Sequence, residues 1–215
     1  MVVHQDVTLW GHPMFRTFRC LWMLEELNVP FELVPVNPRI PEHPRWAEFA
    51  QLNPHGKIPV LQDGTFLLRE SVAINSYLGD KHGKLVPQAC TPERSLYEQW
   101  CLFVVTELDA SIYIHRKHVM LKHIYGEAPQ AVLAARQYFT KHATIAGSEI
   151  KANGGPYLLG AEFTAADILM THVLLLAEKM GWFPESETLR AYQRLTTQRP
   201  AFARAQRALE AASKI

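Results

Sequence analysis

The spacing of apolar residues changes near residue 82 and divides the chain into two parts. Before this point, short β-rich runs alternate with stretches of helical spacing, and after it only helical spacing recurs. The order in the first part is β-α-β-α-β-β-α, and four or five helices follow in the second part. The sequence therefore predicts an α/β domain with a mixed four-stranded sheet, followed by an all-α domain.

The first part holds the signals for the sheet. The predicted elements are strands at 7–10, 31–36, 58–61 and 66–68, and helices at 16–27, 41–52 and 70–80. The short first connection predicts a parallel strand pair with a right-handed crossover. Asp63-Gly64 between two apolar runs predicts a hairpin, so the last two strands are expected to be antiparallel.

The second part begins after a segment rich in turn formers. We predict a first domain at 1–81, a linker at 82–91 and a helical domain at 92–215. The first helix is expected to be long and to carry one apolar stripe. The residues of this stripe are Leu96, Trp100, Phe103, Val104 and Leu108.

Later helices have recognisable starts. Helices are expected to begin near Pro129, at Thr164, near Ser186 and at Pro200. Thr164 and Asp167 form a capping box, with Phe163 and Ile168 as its hydrophobic staple. The helix behind this cap is apolar almost all round, which predicts the buried centre of the domain, with His172 as a core residue.

Composition excludes several classes of protein. The 215 residues are 48% hydrophobic and 20% charged, which is typical of a globular chain. A net charge of +1 provides no global field for nucleic acid or an anionic membrane. Three cysteines are too few for a disulfide scaffold, and no segment has the length of a membrane helix or signal peptide. We expect a cytoplasmic protein.

Pro59 lies at the start of the third predicted strand, where proline removes a backbone donor. Two interpretations remain open from this residue alone. A trans proline is compatible with an edge strand. A cis Ile58–Pro59 bond would turn the Ile58 N–H and C=O outward, where they pair with an extended peptide.

Glu70 and Ser71 follow a strand and open a helix. The N–H groups of a helix start and a serine hydroxyl receive a carboxylate, while Glu70 pairs with an ammonium. Together they suit the two charges of an α-amino acid head. Simple helix capping is the alternative interpretation.

The first strand–helix turn, Gly11 to Thr17, is a candidate site for a thiolate, because helix N-termini stabilise negative sulfur. Thr17 provides a hydroxyl, and Arg16 and Arg19 provide positive charge. No cysteine lies in the turn. Cys20 lies within the helix and is predicted to be a core residue, not a nucleophile.

A basic patch on the first long helix of the second part has three interpretations. It comprises His115, Arg116, Lys117, His118, Lys122 and His123. The patch is a solvated face, a positive rim for an anionic second substrate, or a metal site. The absence of a carboxylate or thiolate at ligand spacing disfavours metal.

The stretches NPHGKIPVLQDGTFLLRESVAI and FTAADI, together with the order of elements, resemble the cytosolic glutathione transferase family. The opening LWGHPMFRTFRCLWMLEELNVPFE resembles its bacterial members, and the resemblance covers essentially the whole chain. It implies a thioredoxin-like N-terminal domain, a helical C-terminal domain, a homodimer and a cis bond before Pro59. It also implies glutathione as co-substrate, with no metal.

The resemblance also implies roles for individual residues. Ile58 would pair through its backbone with the cysteinyl part of glutathione, beside Pro59. Glu70 and Ser71 would hold the γ-glutamyl head. Lys57 or Arg39 would face the glycine carboxylate, unless these two side chains are merely solvated. A separate group of aromatic residues is expected to line an apolar second-substrate pocket or to belong to the core: Trp10, Phe15 and Tyr113.

The chain departs from the family at the sulfur-contact position. Phe15 occupies the expected serine or cysteine position and cannot donate a hydrogen bond, which leaves Thr17 and Arg16 as the catalytic candidates. Lowering a thiol pKa by two units requires about 2.7 kcal/mol. One hydrogen bond to a charged group contributes about 1.5–3 kcal/mol, so a single well-placed donor is sufficient.

The leading hypothesis is therefore a glutathione transferase that conjugates glutathione to an apolar electrophile. Glutathione-dependent disulfide reduction and cis–trans isomerisation of a small acid are close alternatives. A non-catalytic glutathione-binding or protein-interaction module is the alternative from another class, and Phe15 is the feature that favours it.

Overall fold

The structure is a computed structural model that describes residues 7–213. The chain packs into two compact units. The first comprises the described residues up to Val86 together with those from Gln198 onward, and the second comprises Pro87–Thr197.

A mixed four-stranded sheet forms the centre of the first unit. Its strands are β1 (Val7–Trp10), β2 (Glu32–Val34), β3 (Val60–Asp63) and β4 (Phe66–Arg69), in the order β2-β1-β3-β4. β1 and β2 are parallel, whereas β3 is antiparallel to both β1 and β4. The predicted crossover pair, hairpin and four-stranded sheet are confirmed.

Ten α-helices lie within the described residues. They are α1 (Thr17–Leu27), α2 (Trp46–Leu52), α3 (Ser71–His82), α4 (Pro92–Phe103), α5 (Ala110–His115), α6 (Lys122–Tyr125), α7 (Pro129–Ala152), α8 (Ala165–Lys179), α9 (Glu187–Thr197) and α10 (Pro200–Ala212). Helix α2 is shorter than predicted, because residues 41–45 form turns. None of these helices is long and apolar enough to cross a bilayer.

Helix α10 belongs to the first unit, which corrects the predicted boundary of the helical domain. Its Phe202 ring packs edge-on against Phe18 and Trp22 of α1, with centroids 5.7 and 4.9 Å away. Arg199 forms an ion pair with Glu26 of α1 at 2.6 Å. Periodicity predicted that a helix begins at Pro200 but contained no information on its partner.

The second unit is helical throughout, as predicted, but its first long helix is not uniform. A π-helical turn (Val104–Asp109) separates α4 from α5, and another (Arg116–Met120) separates α5 from α6. Trp100, Val104 and Leu108 are buried. Leu96 is 51% exposed, so its assignment to the apolar stripe is wrong.

The capping box at the start of α8 is confirmed. The Thr164 N–H donates to Asp167 Oδ2 at 2.8 Å, and the Thr164 hydroxyl caps the helix in return. Asp167 Oδ1 accepts from the Tyr192 hydroxyl, also at 2.8 Å. Burial raises the pKa of Asp167, although its hydrogen bonds act in the opposite direction. His172 is buried in the same helix, as predicted.

Candidate functional site

The segment before β3 presents two unpaired backbone groups, the N–H and the C=O of Ile58. The Ile58–Pro59 bond is cis, so the cis prediction is confirmed and the trans alternative is wrong. Among the described residues, none forms a hydrogen bond with the N–H or C=O of Ile58. Ile58 itself is half-buried against the core cluster of Trp10, Phe49 and Val60. Its backbone therefore offers one donor and one acceptor from a firmly packed position.

Asn53 holds this segment in place. It is buried at the end of α2, and its Nδ2 donates to the Lys57 carbonyl. Its Oδ1 accepts from Arg69 Nη1 at 3.4 Å. Asn53 is not among the residues predicted from the sequence. The Asn-Pro pair that ends α2 is the signal that indicates it, because a buried amide beside a turn normally satisfies backbone groups.

Glu70 adopts a backbone conformation that is unusual for a residue with a side chain, with φ +68° and ψ 118°. A non-glycine residue there costs about 1–3 kcal/mol, and such outliers concentrate at functional sites. The Glu70 carboxylate is exposed and makes no hydrogen bond or ion pair with a described residue. No side-chain capping bond is present at this helix start, so the capping interpretation is not supported.

Ser71 is buried at the first position of α3, and its hydroxyl oxygen accepts from Arg19 Nη1 at 3.4 Å. The first intrahelical bond runs from the Ile74 N–H to the Glu70 carbonyl at 2.9 Å, so earlier N–H groups lie at the open helix end. Arg19 is only 1% exposed. A buried guanidinium and a helix N-terminus thus meet at Ser71, an arrangement that favours a carboxylate.

Arg19 was predicted only to provide positive charge near the first turn. The structure places it inside α1, where the Asn75 side chain of α3 donates to its carbonyl at 3.4 Å. Helical spacing predicts that position 19 faces the core along with other α1 residues. A charged residue on a core-facing position is the sequence signal that could have indicated a buried, hydrogen-bonded arginine.

The first turn is packed more tightly than the sequence indicates. Gly11 has φ +129°, and a Cβ at this position would clash with Thr17 Oγ1 and would lie 2.8 Å from the Ile58 Cβ. The end of β1, the start of α1 and the Ile58 segment therefore meet where only glycine fits. The close approach at Gly11 fixes the position of the first turn relative to the unpaired N–H and C=O of Ile58.

Thr17 is fully buried, and its Oγ1 has no hydrogen-bond partner. The hydroxyl lies inside the unit, contrary to the hypothesis that it faces a bound sulfur. Arg16 and Phe15 are half-buried in the same turn. Arg16 has helical backbone angles and immediately precedes α1.

His12 links the first turn to the end of α10. Its Nδ1 accepts from the Met14 N–H at 3.1 Å, and its ring is also hydrogen-bonded to the Ala212 backbone. Partial burial lowers the pKa of His12, which the Ala212 bond opposes. The two contacts fit a neutral ring that accepts at Nδ1 and donates at Nε2. This residue was also missed, because its partner lies 200 positions away in the sequence.

The remaining predicted residues lie in different environments. Trp10 is fully buried, its Nε1 donates to Gln62 Oε1 at 3.2 Å, and the Arg45 guanidinium lies 4.4 Å from its ring centroid. The prediction that Trp10 lines a substrate pocket is therefore wrong, because its ring fills the core. Lys57 and Arg39 are exposed. Tyr113 is half-buried, with Lys117 Nζ 4.8 Å from its ring.

The protein's own thiols do not serve the site. Cys20 is fully buried, and desolvation raises the pKa of its thiol strongly, which confirms the core prediction. Burial raises the pKa of Cys101 to about 12. Within residues 7–213, no three histidine, cysteine, aspartate or glutamate side chains come together as potential metal ligands.

The geometry thus defines a thioredoxin-like unit with an unpaired backbone N–H and C=O at Ile58 and a helix start that carries an exposed Glu70 and a buried Ser71. Residues 5–80 match the glutathione S-transferase N-terminal domain. Glutathione S-transferase F13 of Arabidopsis thaliana is 27% identical over 191 residues, covering 86% of this chain and 87% of the relative.

Two crystal structures of bacterial transferases have the same fold. A glutathione transferase from Methylococcus capsulatus superposes with a TM-score of 0.82 at 25% identity, covering 97% of this chain and all of that one. A theta class glutathione S-transferase from Xanthomonas axonopodis with glutathione bound superposes with a TM-score of 0.73 at 26% identity, covering 94% and 97%. The chain is thus similar to glutathione transferases in sequence and in fold over most of its length.

Proposed function

We propose that the protein is a glutathione transferase, in which the first unit binds glutathione and presents its sulfur to an apolar electrophile. The observation that carries the proposal is that the N–H and C=O of Ile58 are unpaired. They lie in the same unit as Glu70 and Ser71. A peptide bond and an amino acid head are the two features that distinguish glutathione from a simple thiol. Relatives that align over most of this chain are glutathione S-transferases, which supports the same conclusion.

Each part of glutathione is assigned to groups described above. The Ile58 N–H and C=O pair with the cysteinyl residue, next to Pro59. The Glu70 carboxylate binds the γ-glutamyl ammonium, and Ser71 with the α3 N-terminus binds the γ-glutamyl carboxylate. Lys57 and Arg39 are the cations proposed to face the glycine carboxylate, since both are exposed.

Charge and backbone orientation support this binding mode. The exposed Glu70 carboxylate has no other partner among the described residues, so it is available to an ammonium. The buried Arg19 behind Ser71 raises the local positive potential where the ligand carboxylate would bind. The two ligand charges thus meet opposite charges on adjacent residues, which fixes the direction of the tripeptide.

The chemistry follows from the ligand's own thiol. The thiol proton passes to solvent, the thiolate sulfur forms a bond to the electrophilic carbon, and the leaving group departs with its electron pair. We assign thiolate stabilisation to the start of α1 and to Arg16. A helix end contributes about 0.3–1 kcal/mol and a charged hydrogen bond about 1.5–3 kcal/mol, which together reach the required two pKa units.

Several finer assignments are part of the proposal. Phe15 is a half-buried aromatic residue of the first unit, and we assign it to the site of the electrophile. The similarity to the Methylococcus and Xanthomonas structures supports assignment to the bacterial members. We further propose a cytoplasmic homodimer without a catalytic metal.

One specific observation favours a second candidate, a glutathione-binding protein without thiolate activation. Phe15 occupies the expected sulfur-contact position. The hydroxyl of Thr17, in the same turn, is buried and has no hydrogen-bond partner among the described residues. In this alternative the same site binds glutathione or a glutathione-linked disulfide, without conjugation.

Calorimetry and ultraviolet difference spectroscopy on the full chain test both candidates. The transferase predicts saturable binding of glutathione together with growth of the thiolate absorption band at neutral pH. Glu70→Gln should weaken binding about tenfold or more, because it removes a charged partner and keeps the side-chain shape. Glu210→Gln, an exposed carboxylate on α10, is the matched control and should have no effect.

The outcomes separate the candidates. Binding without a thiolate band would favour the non-catalytic candidate. Unchanged affinity in Glu70→Gln would overturn the assignment of the γ-glutamyl head.

A further inference from the structure

The second unit contains a cavity of about 630 Å³ that none of the proposed glutathione contacts lines. It is lined by His115 at the end of α5, by His118 and Val119 of the following π-helical turn, and by Lys122 at the start of α6. The first two turns of α7 and Trp182 also line the cavity. We call this cavity the α7 groove. Its volume lies within the range of small-molecule sites.

The helix geometry at the groove is irregular. His118 and Val119 belong to the π-helical turn Arg116–Met120, and π-helical turns are frequent at functional sites. Tyr113, which the sequence predicted as a second-substrate residue, does not line the groove. It lies two residues before His115 on the same helix, so their side chains point in nearly opposite directions.

The walls of the groove are largely apolar. The Trp182 indole is buried and packs edge-on to the His115 ring, with centroids 5.2 Å apart. Val119 and Leu133 both line the groove and are 45% and 53% exposed. Large apolar side chains left exposed around a concave surface are typical of a binding site.

The charge in the groove is unbalanced by one cation. Lys122 Nζ is paired with the Glu127 carboxylate at 2.6 Å. Arg136 has a single acceptor among the described residues, the Gly181 carbonyl at 3.2 Å. Because a backbone carbonyl carries no net charge, the Arg136 guanidinium retains donors and a full positive charge for an anion.

We propose that the α7 groove binds a small aromatic carboxylate, with the carboxylate on Arg136 and the ring against Trp182 and Leu133. A planar carboxylate matches the guanidinium fork, and a ring matches the apolar walls. A monoanion matches the single uncompensated cation. Residues of the basic patch identified in the sequence thus form part of the groove wall. The positive charge that binds the anion is that of Arg136 on α7.

This inference is independent of the proposed function. Every residue that lines the groove belongs to the second unit, whereas the proposed glutathione contacts belong to the first. Loss of glutathione binding or of conjugation would leave the carboxylate site intact.

Calorimetry with 2-naphthoate on the full chain, saturated with glutathione, tests the proposal. Wild-type protein should bind 2-naphthoate about tenfold or more tightly than the neutral 2-naphthamide, since only the former carries the charge. Arg136→Gln should lose this preference, and Arg136→Lys should retain part of it. Lys141→Gln removes an exposed cation of the same helix that does not line the groove, and it should have no effect.

Each contrary outcome is informative. Absence of naphthoate binding to wild-type protein would overturn the proposal, as would equal affinity in Arg136→Gln. Displacement of naphthoate by S-hexylglutathione would also overturn it, because the probe would then occupy the site of the proposed transferase reaction. Thermal unfolding of Arg136→Gln checks that loss of the Gly181 contact has not altered the fold.

Discussion

The first turn shows how much a single residue can change the assignment of a site. Residue type and spacing made Thr17 the best hydroxyl for a bound sulfur, but the structure buries that hydroxyl against Gly11. A buried hydroxyl without a partner costs free energy. We therefore propose the helix end and Arg16 as the groups that stabilise the sulfur.

Thr17→Val separates these roles, because valine has nearly the same shape and lacks the hydroxyl. We expect the thiol pKa of bound glutathione to stay unchanged. We also expect the free energy of unfolding to stay equal or to rise by about 1 kcal/mol, since an unsatisfied buried group is removed. Spectroscopic thiol titration and urea denaturation measure the two quantities. A rise of about one unit in the thiol pKa would restore Thr17 as a sulfur contact.

At the scale of elements, the difference between local and distant signals decided what could be predicted. The hairpin at Asp63-Gly64 and the capping box at Thr164 depend on residues close in sequence, and both are confirmed. The packing of α10 on α1 depends on residues about 180 positions apart, such as Phe202 and Trp22. Helical periodicity identifies a buried face but not what covers it.

The same distinction applies to the site. Glu70 and Ser71 could be proposed from the sequence because a strand-to-helix junction has a recognisable pattern. The unusual φ of Glu70 was not predictable, since a glutamate gives no sign of a conformation that favours glycine. Asn53 and Arg19 act through contacts across the unit, and their roles appear only when α2, α1 and α3 are placed together.

The contact between His12 and the end of α10 predicts a pH dependence of the first unit. Burial lowers the pKa of His12 in the folded state, so the fold favours the neutral ring. Its contribution to stability is therefore present above the unfolded pKa of about 6.5 and is lost as pH falls through the lower folded pKa.

His12→Gln should reduce this dependence, because glutamine does not titrate. Urea denaturation at pH 7.5 and 5.5 should show a larger loss of stability on acidification in wild-type protein than in the variant. His115, whose pKa burial also lowers, contributes equally to both proteins and cancels in the comparison. An identical pH response would contradict the neutral assignment of His12.

At the scale of the whole molecule, burial sets which sulfur atoms can react. Cys20 and Cys101 are buried, and their thiol pKa values are raised, whereas Cys90 is exposed. A disulfide reagent at neutral pH should therefore modify about one thiol per chain rapidly, and all three only in denaturant. Cys90→Ser should abolish the rapid phase, and rapid modification of a second thiol would contradict the burial pattern.

Backbone recognition has a consequence for how this site can change by mutation. The donor and acceptor of Ile58 belong to the main chain, so replacing its side chain removes neither group, and only proline deletes the N–H. Random substitution is thus expected to leave this contact more intact than any side-chain contact. An amide-to-ester exchange at Ile58, introduced by chemical synthesis, deletes the N–H donor directly and leaves the C=O acceptor in place.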